Sequence, residues 1–328
     1  MKLNFPAMLG CFWCLTLGFG AQLGAEWPER NLTLVSAVPE TLPWSDEPTP
    51  EIKVLEALAP RLSRELGVPV ILVKRSEGDG VLGANTVASA KPDGYLVGAL
   101  CVNAAVTRVI QGYTPYVWDE IAPVATGWRV LTAVVTRDDL QADDLRGLAA
   151  LAERGQVRLA HTGLEPVDTE TVLATEAARL AGFTWTLTKV DRLDPALLLE
   201  NKAEALVMPL SWLARHPQAD RFKVLTVLTM EENLPCVEGY PTLRTLGLDV
   251  RVNPLLAFYL PAKVNWRVQS RLSTAINNSL RQPGILREIS KACLKPYRED
   301  LEGAGAVMER EYKQQEAGLT DLGFMEAK

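Results

Sequence analysis

The sequence predicts an α/β protein built from two units with a cleft between them. About 300 residues follow an apolar N-terminal segment, which is the length of two domains of about 150 residues each. Apolar runs typical of buried strands alternate with helical patterns along that stretch. The composition, 48% hydrophobic and 23% charged, is that of a globular chain that can bury a sizeable core.

The N-terminal segment predicts export. Lys2 is the only charged residue before Glu26, and the apolar stretch between them ends in small residues. This pattern is typical of a secretory signal peptide over residues 1–25, with cleavage near Ala25. An uncleaved membrane anchor is the alternative, because the uncharged stretch could span a bilayer. A lipoprotein is a weaker alternative, since few apolar residues precede Cys11.

The charge balance argues against a nucleic-acid partner. The formal net charge is −6, and removal of Lys2 with the signal segment makes it −7. A mildly acidic chain lacks the basic surface that a phosphate backbone requires.

Three cysteines remain beyond the signal segment, Cys101, Cys236 and Cys293. Their odd number and wide spacing predict no disulfide framework. Cys101 follows an apolar run and is interpreted as a small core residue.

The first unit reads as strand, helix, strand, helix, strand. The run Leu32–Val38 lies between Asn31 and Pro39 and is typical of a buried parallel strand. A proline-rich loop follows, and Glu51–Leu66 has apolar residues at helical spacing before Gly67. The remaining elements are a strand over Val68–Val73, a helix over Val81–Ala90 and a strand over Tyr95–Leu100. This order predicts a parallel sheet.

The second unit repeats the alternation, and the C-terminal part is helical. Predicted strands are Val130–Val135, Gln156–His161, Thr184–Val190, Ala205–Met208, Phe222–Thr229 and Leu255–Leu260. Predicted helices are Leu145–Ala152, Thr169–Leu180, Asp194–Glu200, Trp266–Leu280, Ile285–Cys293 and Asp300–Ala317, the last ended by Gly318. In such units a ligand binds at the carboxyl ends of the strands, between the lobes.

Several short motifs occur in the order known from one protein family. They are Gly78-x-Gly80-x-x-Gly83, Ala90-Lys91-Pro92-Asp93-Gly94-Tyr95, Trp118–Ala125, Gly239-Tyr240-Pro241-Thr242-Leu243 and Leu256–Ala262. From about Leu32 to Tyr297 the chain resembles the tripartite tricarboxylate transporter substrate-binding proteins, or Bug receptors. Each motif alone is weak, but their order is specific.

The resemblance implies a periplasmic receptor with a two-lobed, type II-like Venus-flytrap fold. Such receptors hold a small carboxylate between the lobes and deliver it to a two-component membrane permease, without a cofactor and without catalysis. It implies a monomer with a signal peptide over 1–25, a first lobe over 26–127 plus 252–328, and a second lobe over 128–251. The hinge is expected near Thr126–Arg129 and Leu248–Val252.

The chain departs from the family in the ligand loops. Family members grip a carboxylate with main-chain N–H groups, hydroxyls and water at the loops after the first and second strands. The first loop here, Pro39–Pro48, has no glycine and is longer. The second reads Ser76-Glu77-Gly78-Asp79-Gly80 where the family has Pro-Gly-Ala-Gly-Gly. We therefore expect the fold to be kept and the ligand to differ.

Four candidate ligand-binding residues lie on these two loops. Gly78 and Gly80 can adopt positive φ, and the helix that begins near Val81 should point free N–H groups toward an anion. Asp79 faces solvent or accepts a hydrogen bond from the ligand. Ser36, at the end of the first strand, offers its hydroxyl and N–H. The alternatives are a purely structural turn and a buried core serine.

Five further candidates follow other strands. Arg129 could clamp a distal carboxylate, or it lies on the surface. Asn103 follows the third strand, and His161 and Thr162 stand where the family has small hydroxyl residues. Arg192 is favoured by its position only, since charged loop residues are usually solvated. Each could equally be structural.

Other functions have less support. The loop at Gly78 matches the dinucleotide fingerprint, but the spacing from the preceding strand and the predicted export argue against NAD. Only His161 and His216 could act as histidine bases, and no nucleophile elbow or metal-ligand cluster is present. A sensor subunit for a membrane partner and an exported hydrolase remain the alternatives to a transport receptor.

Overall fold

The structure, a computed structural model, describes residues 27–155, 157–162, 167–250 and 253–326. The predicted signal segment lies outside these residues. The strands are β1 (Leu32–Ser36), β2 (Val70–Lys74), β3 (Leu96–Cys101), β4 (Ile121–Val130), β5 (Thr132–Arg137), β6 (Arg158–His161), β7 (Thr186–Lys189), β8 (Ala205–Pro209), β9 (Phe222–Val227), β10 (Leu255–Pro261) and β11 (Leu294–Pro296).

The helices alternate with these strands in the first two thirds of the chain and dominate the last third. They are α1 (Pro50–Leu66), α2 (Val81–Ala88), α3 (Arg108–Ile110), α4 (Leu145–Ala152), α5 (Thr169–Ala181), α6 (Ala196–Leu199), α7 (Leu210–Leu213), α8 (Trp266–Leu280), α9 (Pro283–Lys291) and α10 (Leu301–Asp321). A π-helical turn, Asn103–Thr107, leads directly into α3.

The first sheet has the order β11-β4-β10-β3-β1-β2. Strands β1, β2 and β3 are parallel, as predicted, and the other pairings are antiparallel. The predicted parallel unit is therefore present, and it forms one half of a mixed sheet. Because Ser36 lies opposite Lys74 and Ala99, the carboxyl ends of β1, β2 and β3 meet at one edge.

Helix α1 shows why the predicted elements form where they do. Thr49 caps it by accepting a hydrogen bond from the N–H of Ile52, and Pro50 fills the first turn. Gly67 ends it in the left-handed conformation. Its apolar face is fully buried against the first sheet, and each such aliphatic side chain contributes about 1.5–3 kcal/mol.

The second sheet has the order β7-β6-β8-β5-β9. A single residue, Leu131, separates β4 in the first sheet from β5 in the second. The predicted strand Val130–Val135 therefore spans two strands. The predicted lobe boundary at residue 128 stays a prediction, and the change of sheet lies three residues later in the chain.

Two expectations about the chain are wrong. Helix α10 runs through Gly318 to Asp321, because Leu319 is fully buried and holds the extra turn on the core. Cys236 and Cys293 form a disulfide across 57 residues of sequence, leaving Cys101 as the free thiol of the described chain. Wide spacing in sequence does not prevent two cysteines from meeting in the fold.

Within the ranges described, no helix combines the length and the apolar character needed to cross a bilayer.

Candidate functional site

The loops that follow β1 and β2 pack directly against each other. A Cβ at Gly80 would lie 2.9 Å from the backbone oxygen of Ala37, the residue after Ser36. A side chain at this position would therefore force the loops apart. The sequence predicts that both loops line one crevice. In the structure the two loops contact each other.

The loop over Gly78, Asp79 and Gly80 has three consecutive positive φ angles, 60°, 55° and 86°. This turn directs the loop's own carbonyls at the start of α2. The N–H of Gly80 donates to Ser76 O at 2.9 Å, that of Val81 to Gly78 O at 3.1 Å, and that of Leu82 to Glu77 O at 3.3 Å. The expectation that α2 begins with free N–H groups is wrong for these three amides.

Ser36 is also engaged locally. Its hydroxyl accepts a hydrogen bond from the N–H of Val38 at 3.2 Å, and its carbonyl accepts from the N–H of Arg75 at 2.8 Å. Ser36 is fully buried. Its role in ligand binding stays a prediction.

Asp79 forms an ion pair that the sequence analysis did not foresee. Its Oδ2 lies 2.6 Å from Nη2 of Arg108, whose side chain is only 3% exposed. Arg108 lies at the start of α3, just after β3 and the π-helical turn. The sequence signal for a buried ion pair at this position is a single charged residue, Arg108, inside the mainly apolar stretch Val102–Ile110.

The segment after β3 contacts the start of α5, which belongs to the second lobe. Asn103 Oδ1 accepts a hydrogen bond from the N–H of Thr169 at 3.3 Å, and the hydroxyls of Thr107 and Thr169 are 2.7 Å apart. Gln111 Nε2 donates to Val167 O at 3.0 Å. Of these residues, only Asn103 is a binding candidate on sequence grounds. In the structure it joins the two lobes.

Glu51 forms a second contact between the lobes. Its carboxylate accepts hydrogen bonds from Trp212 Nε1 at 2.9 Å and from the Ser211 hydroxyl at 3.5 Å. Glu51 lies in the first turn of α1, whereas α7 carries both donors. Burial raises the pKa of Glu51, and the Trp212 hydrogen bond partly offsets this.

Acidic side chains cluster near these contacts. The pKa of Glu170 is raised from 4.5 to about 8. Burial is the main cause, and repulsion from Asp168 is the second. Burial raises the pKa of the Cys101 thiol, at the end of β3, to about 12, and the Glu170 and Glu51 carboxylates, which are ionised at so high a pH, add to this. Glu170 is therefore largely protonated near neutral pH, and Cys101 is an unreactive thiol.

The second-lobe candidates occupy different surroundings. His161 ends β6 and is buried, and its carbonyl accepts from the N–H of Val190 at 2.9 Å. Thr162 is partly buried beside it. Arg192 has a side chain 63% exposed and lies 3.7 Å from Asp194.

Arg129 lies in β4, near the change of sheet. Its guanidinium stacks over the Tyr297 ring at 4.3 Å from the ring centroid. Burial raises the pKa of Glu311 to about 7, and Arg129 is the first of the cations that oppose this. These contacts place Arg129 in the packing between β4 and the C-terminal segment; a role in ligand binding stays a prediction.

In the described part of the chain, no group of three histidine, cysteine or acidic side chains could hold a metal ion.

Comparisons with known proteins agree with this architecture. The model of the tripartite tricarboxylate transporter family receptors matches residues 54–323. Protein BugT of Bordetella pertussis is 26% identical over 293 residues, covering 85% of each chain.

Solved structures share the fold. The protein Rpa4515 of Rhodopseudomonas palustris, with adipate, has a TM-score of 0.74 at 20% identity, covering 91% of this chain and 99% of that one. MatC of the same organism, with bound malate, has a TM-score of 0.71 at 19% identity, covering 89% and 100%. With its two sheets and its match to the family over most of its length, this chain belongs to the tripartite tricarboxylate transporter family receptors.

Proposed function

We propose that this chain is an extracytoplasmic receptor that captures a small carboxylate between its lobes and performs no chemistry on it. Two hydrogen bonds carry the proposal: the Thr169 N–H donates to Asn103 Oδ1, and the hydroxyls of Thr107 and Thr169 are bonded to each other. They join the segment at the carboxyl end of β3 to the start of a helix in the second lobe. Contacts of this kind form when two lobes close over a ligand.

A carboxylate ligand is supported by the family and by the relatives that hold malate and adipate. The cluster of acidic side chains is compatible with it, because a protonated Glu170 donates a hydrogen bond instead of repelling an anion. Arg108 adds one buried cation beside Asp79. We expect the ligand to contact the two first-lobe loops, with Gly78, Asp79 and Gly80, and the second-lobe residues His161 and Thr162.

A thermal-shift screen of several hundred small carboxylates tests the ligand class. A true ligand should raise the melting temperature, by mass action, in proportion to its affinity. Amines and sugars of similar size serve as the comparison set. If only these stabilise the protein, the carboxylate assignment is wrong. A crystal structure of protein purified without added ligand would show any cargo that it retains.

Delivery to a two-component membrane permease is the second part of the proposal, and the family membership supports it. The test is uptake of the identified acid by vesicles containing the permease encoded nearby, with and without the receptor. Uptake that does not need the receptor, together with activation of a membrane kinase by the loaded receptor, would favour the sensor role instead.

We propose a periplasmic location after removal of residues 1–25. The disulfide supports it, since such bonds persist in oxidising compartments. Cell fractionation tests the location, and N-terminal sequencing of the exported protein tests the cleavage site. Light scattering tests the expected monomer.

A further inference from the structure

We infer that the Cys236–Cys293 disulfide is a covalent tether at the hinge, which limits how far the two lobes can open. The inference concerns the lobe motion that the proposed function uses, but its test needs no ligand. Three observations support it: where each cysteine is anchored, where the bond lies relative to the change of sheet, and how far the bond lies from the contact between Thr107 and Thr169.

Cys293 is fixed in the first lobe. Its N–H donates to Ser290 O at 3.0 Å, and the next residue, Leu294, begins β11. Strand β11 pairs with β4, and Leu294 lies opposite Val130. The cysteine is therefore held by the first sheet and not by a free loop.

Cys236 is fixed in the second lobe. It lies in a short 3-10 turn, Pro235–Val237, and the side chain of Val237 is buried in the apolar cluster of the second sheet. The chain then returns to β9, where the N–H of Val227 donates to Pro241 O at 2.8 Å. Both ends of the disulfide thus belong to well-anchored parts of different lobes.

The bond lies beside the change of sheet. Val130, opposite Leu294, is the last residue of β4, and only Leu131 separates it from β5. Next to the disulfide, Lys295 Nζ pairs with Glu231 Oε2 at 2.9 Å, which adds a second link between the same two segments. The lobes are therefore joined at this edge by a backbone crossing, a disulfide and an ion pair.

The contact between Thr107 and Thr169 lies well away from this edge, whereas Ser211, which contacts Glu51, lines the same cavity as Cys236 and Cys293. Strand β3, which leads to Thr107, is three strands from β11 in the first sheet, and β6, which leads to α5, is three strands from β9 in the second. Three strand spacings of about 4.8 Å place the contact between Thr107 and Thr169 about 14 Å from the tethered edge. A rotation of about 20° about the tethered edge separates the Thr107 and Thr169 hydroxyls by about 5 Å. The tether permits that rotation and prevents separation or sliding of the two edges.

The test compares two variants of the full-length exported protein. Cys236→Ser with Cys293→Gly removes the tether, and glycine suits the positive φ of 51° at residue 293. Cys101→Ser is the matched control, since it removes a thiol and keeps the disulfide. The reporter is hydrogen exchange of the Thr169 amide, which donates across the crevice to Asn103. Small-angle scattering gives the radius of gyration of the same samples.

We expect the untethered variant, without ligand, to exchange the Thr169 amide about ten-fold faster than the control and to have a larger radius of gyration. Equal exchange and equal radius would overturn the tether. If the variant does not fold, wild-type protein reduced in its native buffer gives the same comparison. Peptide mapping after alkylation without reductant is an independent check, because alkylated Cys236 and Cys293 would overturn the inference outright. A failed ligand screen would leave each of these outcomes unaffected.

Discussion

The hydroxyls of Thr107 and Thr169 lie 2.7 Å apart, although one follows a strand of the first sheet and the other begins a helix of the second lobe. Both residues are buried. The two lobes therefore meet through a polar contact next to the crevice and not through a purely apolar one. In the proposed receptor, this contact is made when the lobes close and is lost when they open.

Replacing Thr169 by valine removes this hydrogen bond and keeps the shape of the side chain. We expect the affinity for the acid identified in the screen to fall about five-fold, which corresponds to about 1 kcal/mol for one net hydrogen bond. Titration calorimetry measures the affinity of each variant for the acid. Thr175→Val is the matched control, because the Thr175 hydroxyl donates to Thr171 O within the same helix. Equal affinity losses in the two variants would contradict a role in closure.

Glu51 gives a second prediction about the contact between lobes. Glu51→Ala leaves the buried Trp212 N–H without its acceptor and opens a cavity, so we expect a loss of about 2–4 kcal/mol in the free energy of unfolding. Glu51→Gln retains an acceptor and removes the cost of burying a carboxylate, so we expect it to stay within about 1 kcal/mol of wild type. Urea unfolding of both variants measures the difference. A glutamine variant as unstable as the alanine variant would show that the charge itself is required.

The sequence predicts most elements but not all of them. Helices α4 and α8 are found with the predicted bounds, because their apolar periodicity and capping residues agree. The sequence pattern predicts only Val130 of β4, because Pro123 and Gly127 interrupt the pattern and both faces of the strand are largely covered. Gly318 predicts a helix end, but the packing of Leu319 outweighs the local preference of glycine.

The site was predictable only in part. The sequence order places Ser36, Gly80 and Asn103 after neighbouring parallel strands, so their common edge follows from topology. The partners of these segments do not follow from it. Thr107 and Thr169 are 62 residues apart, and Glu51 and Trp212 are 161 apart. Pairs of this kind depend on how the two lobes face each other, which no local pattern encodes.

The raised pKa of Glu170 predicts a pH dependence of stability. In the unfolded chain this carboxyl ionises near 4.5, but burial and Asp168 hold its proton up to about pH 8 in the fold. Between these values the folded protein binds more protons, so the free energy of unfolding decreases as pH rises, by at most about 1.4 kcal/mol per pH unit.

Glu170→Gln should flatten this decrease between about pH 5 and pH 8. Urea unfolding across that range measures the slope, and Glu153→Gln, a change at an exposed acid of the same lobe, serves as the control. An unchanged slope in Glu170→Gln would mean that Glu170 ionises normally in the fold.

The disulfide also predicts a large contribution to global stability. A cross-link closing 57 residues removes chain entropy from the unfolded state worth about 4 kcal/mol in the loop-closure model. Reductant should therefore shift the urea midpoint of wild type strongly and leave the variant Cys236→Ser with Cys293→Gly unaffected. Cys101→Ser should respond as wild type does. A wild-type midpoint that reductant does not move would contradict the bond.

Gly80 tests the contact between the two ligand loops. Its φ is 86°, and an added Cβ would meet Ala37 O at 2.9 Å. Gly239 has nearly the same φ, 84°, with open space around the added atom, so it isolates the backbone cost. We expect Gly239→Ala to lose about 1 kcal/mol of unfolding free energy from the left-handed conformation alone. Gly80→Ala should lose at least about 1 kcal/mol more, because the loop must also move away from β1. Equal losses in the two variants would mean that the loops move apart at no cost in free energy. The contact between Gly80 and Ala37 would then not hold the two loops together.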